Sequence, residues 1–114
     1  MEETTSYLVE ITSKAEQYYW ELLSNLYQTH GVKSAGRKSD AILELAMSLE
    51  KNPYQGSKEG NLAYLNKEHR FLVYHITKRK TIKIIYFVDE VVQKVYITDF
   101  FATDMHPDKI KKRN

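Results

Sequence analysis

The chain has 114 residues, 28% of them charged, with a formal net charge of +2 and no cysteine. That length fits one domain, residues 1–114, able to remove about two-thirds of its chain surface from water without cross-links. The missing cysteines exclude thiol nucleophiles, disulfide frameworks and thiolate zinc sites, and fit a reducing compartment, with the cytoplasm as the default. Residues 1–5 are acidic where a secretory signal would be basic, and no apolar run approaches the roughly 18 residues of a membrane span. No membrane partner is therefore expected. The small net charge hides an asymmetry: residues 1–30 hold one lysine against five glutamates, while 67–83 hold six Lys/Arg against one glutamate. The second segment is suited to a phosphate or an acidic protein surface.

Tyr7, Val9 and Ile11 alternate with Ser6, Leu8 and Glu10, the period of a strand with one buried face. Ser13 with Glu16 three residues later forms a capping box, which predicts a helix over about 14–29 with Ala15, Tyr18, Tyr19, Leu22, Leu23 and Leu26 at helical spacing. His30-Gly31 ends it. A second helical stripe, Ala35, Ile42, Leu45, Ala46 and Leu49, runs until Pro53, giving an antiparallel helical hairpin. From Leu62 the period changes to two: "LAYL", "HRFLVYHI", "TIKIIYFVDE" and "VVQKVYITDFF" read as strands joined by short links. The terminal "HPDKIKKRN" is a basic tail, over 110–114 either frayed or one more helical turn. The order β-α-α-β-β-β(-β) predicts an α+β fold: an N-terminal strand, a two-helix hairpin and a three- to four-stranded antiparallel meander in one twisted sheet. The nine tyrosines read as amphipathic core and rim residues whose hydroxyls reach water.

His69 and His75 share a strand face, but six residues of extended chain place them about 20 Å apart, too far for one ion. His30 and His106 fall in other links, so no metal is expected. None of the four glycines builds a phosphate loop or dinucleotide fingerprint, so no cofactor is expected either. What remains is chemistry done by cations and imidazoles. Cleaving RNA needs a base, an acid and fixed positive charge beside the phosphorane, and Lys67, His69 and Arg70 could supply such a cluster. Lys78, Arg79, Lys80 and Lys83 could bind backbone phosphates, or else form a solvated hairpin tip.

The order of elements, the "LEKNPYQG" exit from the second helix, the "HRFLVY" and "IKIIYFVD" strands, and "VYITDFF" followed by a proline resemble the RelE/ParE family of bacterial toxins over residues 6–110. The resemblance implies the toxin half of a type II toxin–antitoxin pair, inhibited by a cognate antitoxin within a hetero-oligomer. Its cellular target would be DNA gyrase for a ParE-like member, or ribosome-bound mRNA for a RelE-like ribonuclease. The functional arginine of the RelE-like "Y-R-L-V-Y" strand corresponds to Arg70, preceded here by His69. Arg70→Ala is then expected to abolish growth inhibition at a stability cost within about half a kcal/mol, as for a surface residue. Some relatives read "T-R-x-x-P" after the last strand, where this chain reads Thr103-Asp104-Met105-His106-Pro107. Asp104 in place of a cation disfavours a phosphorane, with His106 as the candidate compensation. The resemblance therefore leans towards a ParE-like growth inhibitor, with the ribonuclease and an inactive toxin-like binding module as alternatives.

Overall fold

A computed structural model describes residues 6–114. Residues 1–5, on which the expectation of no secretory signal rests, lie outside the described residues. Strand β1 (Leu8–Ile11) turns Val9 and Ile11 inward and leaves Leu8 and Glu10 exposed, as the alternation predicts. Its exit into α1 (Ser13–His30) differs from the predicted capping box by one residue. Thr12 is the N-cap: its N–H still donates to Ile97 O in the sheet at 3.0 Å, while its hydroxyl accepts the Ala15 N–H at 3.2 Å. The Glu16 carboxylate, one position too late to complete a box, accepts instead from the Trp20 indole at 3.5 Å.

A single residue, Gly31 at φ 78°, ends α1 and begins α2 (Val32–Met47). This left-handed conformation is one that glycine adopts without strain. The second helix thus starts three residues before the first position of its predicted stripe. Tyr19 meets Ser39 through a buried hydroxyl–hydroxyl hydrogen bond and Tyr27 lies beside Gly36, pairings that fix an antiparallel hairpin.

The "LAYL" segment is not a strand. Leu62 and Leu65 are three apart, the period of a 3₁₀ turn, and Gly60–Leu62 adopts one, with Ala63 N–H donating to Gly60 O and Leu65 N–H to Leu62 O. The strand preceding the meander is the two-residue β2 (Ser57–Lys58), paired to Phe71 and Arg70. The meander itself follows the predicted order: β3 (His69–His75), β4 (Thr81–Asp89) and β5 (Lys94–Ala102). The sheet runs β1-β5-β4-β3-β2, antiparallel throughout except for the parallel β1–β5 pair.

One sheet face receives the helical hairpin, burying Leu22, Leu26, Ile42 and Ala46 against Leu72, Ile84, Ile97 and Phe100. The other face carries a smaller core of Leu62, Ile85, Phe101 and Ile110. Ile110 belongs to α3 (Lys109–Arg113), so the basic tail is a further helical turn. Tyr86 and Tyr19 are core tyrosines whose hydroxyls, rather than reaching water, are satisfied by Gly56 N–H and Ser39. Tyr86 also explains Gly56, because a Cβ there would lie 2.7 Å from the Tyr86 hydroxyl and 2.6 Å from Phe71 O.

Candidate functional site

The predicted cluster at Lys67, His69 and Arg70 is divided by the pleat, since neighbouring side chains on a strand point to opposite faces. Arg70 pairs with Tyr86 and shares the hairpin face with Leu72 and Tyr74. Its side chain is 18% exposed. The guanidinium donates to Gly56 O at 2.8 Å and to Glu68 Oε2 at 2.9 Å, and it lies over the Tyr54 ring. Its Nε is sealed without a partner among the described residues. The Tyr54 hydroxyl is pushed up to about 12 by burial, then by the neighbouring Glu90 carboxylate, and is protonated at neutral pH. Arg70 therefore ties β3 to the 54–56 loop.

Phe71, the next residue along β3, points to the opposite face. Position 71, on the second face, holds the phenyl ring over which Lys83 sits at 4.2 Å.

His69 faces that second side. It is 5% exposed, edge-on to Phe87, with Nδ1 3.2 Å from Lys67 O. Burial is the main reason its imidazole is held below the ordinary histidine range, and the Lys67 ammonium adds to it, while the hydrogen bond to Lys67 O works the other way. Lys83 is committed to the buried Glu59 at 2.8 Å. Burial alone would raise the Glu59 carboxyl, but hydrogen bonds from Lys83 and Asn61 outweigh it and hold it low. Lys78 and Arg79 lie exposed at the β3–β4 tip, and Lys80 reaches Asn25 at 3.4 Å.

His106 does not join His69. The chain leaves the sheet after Ala102, paired to Ile82, five residues along β4 from the His69 partner Phe87, or roughly 17 Å. His106 is 71% exposed and takes the Asp108 N–H on Nδ1. Asp104 is exposed in the same link, on the rim of a groove shared with Tyr18 and Glu21.

What sequence reasoning missed is the polar lock at the chain end. A bulge at Thr98, where Ile85 pairs with Asp99 but Tyr86 with Ile97, brings Thr98 and Asp99 together towards α3. Asp99, fully buried, receives the Arg113 guanidinium at 2.7, 3.1 and 3.2 Å and Asn114 Nδ2 at 3.1 Å. Burial still raises its carboxyl above the ordinary aspartate value despite Arg113. The only signal available was an aspartate beside the apolar Phe100 and Phe101 in β5.

Beside this lock lies a cleft of about 580 Å³. It is lined by Thr12, Ser13 and Lys14 at the start of α1, by Lys67, His69 and Phe87, and by Thr98, Arg113 and Asn114. No carboxylate side chain is among the described residues that line it. Lys67 sits over Phe87 at 4.5 Å, and Phe87 stacks on Tyr96 at 5.2 Å.

The strand, the helical hairpin and the meander with one parallel edge define a ParE/RelE-like α+β fold. Among solved structures, the fold is similar to that of a chain of the chromosomal ParDE TA (toxin–antitoxin) system from P. aeruginosa, with a TM-score of 0.64, 15% identity, and 86% of this chain matched to 97% of that one. At that identity the likeness is one of fold. No protein-family model and no curated protein matches the sequence.

Proposed function

We propose that the chain is the toxin of a type II toxin–antitoxin pair, a ParE-like growth inhibitor that acts in the cytoplasm on gyrase or another protein and is neutralised by a cognate antitoxin. The observation that carries this reading is the likeness in fold, over 86% of the chain, to a chain of a ParDE toxin–antitoxin system. The exposed cations Lys67, Lys78 and Arg79 suit an acidic partner segment that folds along the surface.

Docking is favoured over cleavage by the dispersal of the charged groups. A RelE-like ribonuclease would need Arg70, His69 and His106 around one phosphate. Here Arg70 is tied to Gly56 on the hairpin face, His69 lies on the other face, and His106 leaves the far end of the strands. Asp104 adds a carboxylate where cleavage calls for a cation. Two assays side by side test this: DNA supercoiling by gyrase, and mRNA cleavage on translating ribosomes. Inhibited supercoiling with intact mRNA is expected. Codon-dependent cleavage by the unmodified protein would restore the ribonuclease alternative, and inactivity in both would favour an inactive binding module.

A further inference from the structure

One margin of the sheet is only partly covered. On β3, His69 O accepts from Glu59 N–H, while just past the strand Ile76 N–H donates to Lys80 O. Odd-numbered residues of β3 therefore turn their backbone groups towards β2, and even-numbered ones towards β4. Yet β2 pairs only with positions 70 and 71. The N–H and C=O of Val73 and His75 point outward with no partner among the described residues, and both residues are exposed. No lysine, proline or bulge interrupts this stretch, and those are the devices by which edge strands avoid association.

The opposite margin carries different chemistry. Leu8 and Thr12 N–H bond to Gln93 and Ile97 O, which leaves Val9 and Ile11 pointing outward on β1. Between them stands the exposed Glu10, whose carboxylate would lie directly opposite its own copy in a symmetric pairing. At the same place on β3 stands Tyr74, which is uncharged.

We propose that the Val73–His75 edge pairs antiparallel with the same edge of a second copy of this chain, about a two-fold axis at Tyr74. In that register the N–H and C=O of Val73 meet those of His75 in the second copy, and His75 meets Val73 in turn, so every outward group is satisfied. The window fits this pairing and little more, because β2 closes it at Phe71 and the hairpin turn closes it at Ile76. A longer added strand would collide with β2. An interface of this kind is isologous and closes at two copies.

The hairpin face is complementary as well. A groove of about 410 Å³ lined by Ala41, Glu44, Leu45, Ser48 and Tyr74 runs beside the edge. The axis sets the second copy's Tyr74 opposite the first, where its ring covers the groove and its hydroxyl can donate to Glu44. Lys38 reaches Ile76 O at 2.8 Å, and neither it nor Glu44 has an ion-pair partner among the described residues. The two α2 helices run antiparallel across the axis, which brings Lys38 of each copy towards Glu44 of the other. The pairing does not depend on the growth-inhibition reading.

Sedimentation of the full-length protein over about 1 μM to 1 mM, the range suited to a small interface, should show a mass rising from 13.4 kDa towards twice that value. Val73→Pro deletes an outward N–H that the single chain does not use, at an edge position where proline is tolerated. It should weaken association at least about tenfold with the unfolding curve of the monomer unchanged. Glu44→Lys should weaken it about fivefold, whereas Glu10→Ala on the other margin should leave it unchanged. Amide exchange of the unmodified protein reads the edge without any substitution: Val73 and His75 should slow as concentration rises, and Val9 and Ile11 should not. A monomer at every concentration would overturn the proposal, as would a dimer indifferent to Val73→Pro, a dimer tightened by Glu10→Ala, or exchange at 73 and 75 independent of concentration. Protection of those amides only when the product of the adjacent reading frame is bound would assign the edge to that partner and overturn self-pairing.

Discussion

Replacing Arg113 by methionine removes the cation that Asp99 faces while retaining the length of the side chain. Asp99 is fully buried, and the substitution deletes all three guanidinium contacts, leaving Asn114 Nδ2 as its remaining side-chain donor. A carboxylate stranded by loss of its buried partner typically costs about 3–5 kcal/mol. At about 2.1 cal/mol/K of unfolding entropy per residue, 1 kcal/mol moves the midpoint of a chain this size by roughly 4 °C, so Arg113→Met should lower Tm by about 12–20 °C at pH 7. The pH dependence sharpens the test. The folded Asp99 carboxyl is already raised by burial, and without Arg113 it rises further. The stability that protonation contributes is present below the unfolded pKa and lost as pH rises through the folded one, so the deficit of the variant should shrink as pH falls. Adding Asp99→Leu should recover most of the loss at pH 7. Thermal unfolding followed by circular dichroism across pH is the assay. A loss below about 1 kcal/mol, or one independent of pH, would refute the claim that Asp99 depends on Arg113.

Gly56→Ala should destabilise by about 1–3 kcal/mol in urea unfolding, because a methyl group 2.6 Å from Phe71 O forces backbone apart. Arg70→Ala should cost about 1.5–3 kcal/mol in the same assay, not the half kcal/mol expected of a surface arginine, since it strips charged donors from Gly56 O and Glu68. Any loss of growth inhibition by that variant must therefore be read at matched folded protein. His69, held below its ordinary value by burial, contributes stability that is present above about pH 6.5 and is lost as pH falls through its folded pKa; His69→Leu should flatten that slope.

Local periodicity made the helices and meander legible: the stripe in α1, the alternation in β3 to β5 and Gly31 at the hairpin each follow from neighbours in sequence. The error at 62–65 arose because four residues of alternation resemble a strand, while Leu62 and Leu65 are also one 3₁₀ turn apart. The parallel β1–β5 pairing joins residues more than 80 positions apart, and nothing local encodes it. The candidate site was less legible. A cluster of basic residues in sequence became two clusters in space once the pleat sent His69 and Arg70 to opposite faces. The Asp99–Arg113 lock depends on a bulge at Thr98 that no residue pattern announces.

As the toxin proposed here, the chain should arrest growth unless a partner protein restrains it. The most direct measurement is the growth of cells induced to make it, alone and together with the product of the adjacent reading frame. Arrest by the chain alone, relieved by a small acidic neighbour that co-purifies with it, is the predicted result. Unchanged growth in both cultures at verified expression, with no complex recovered, would contradict it.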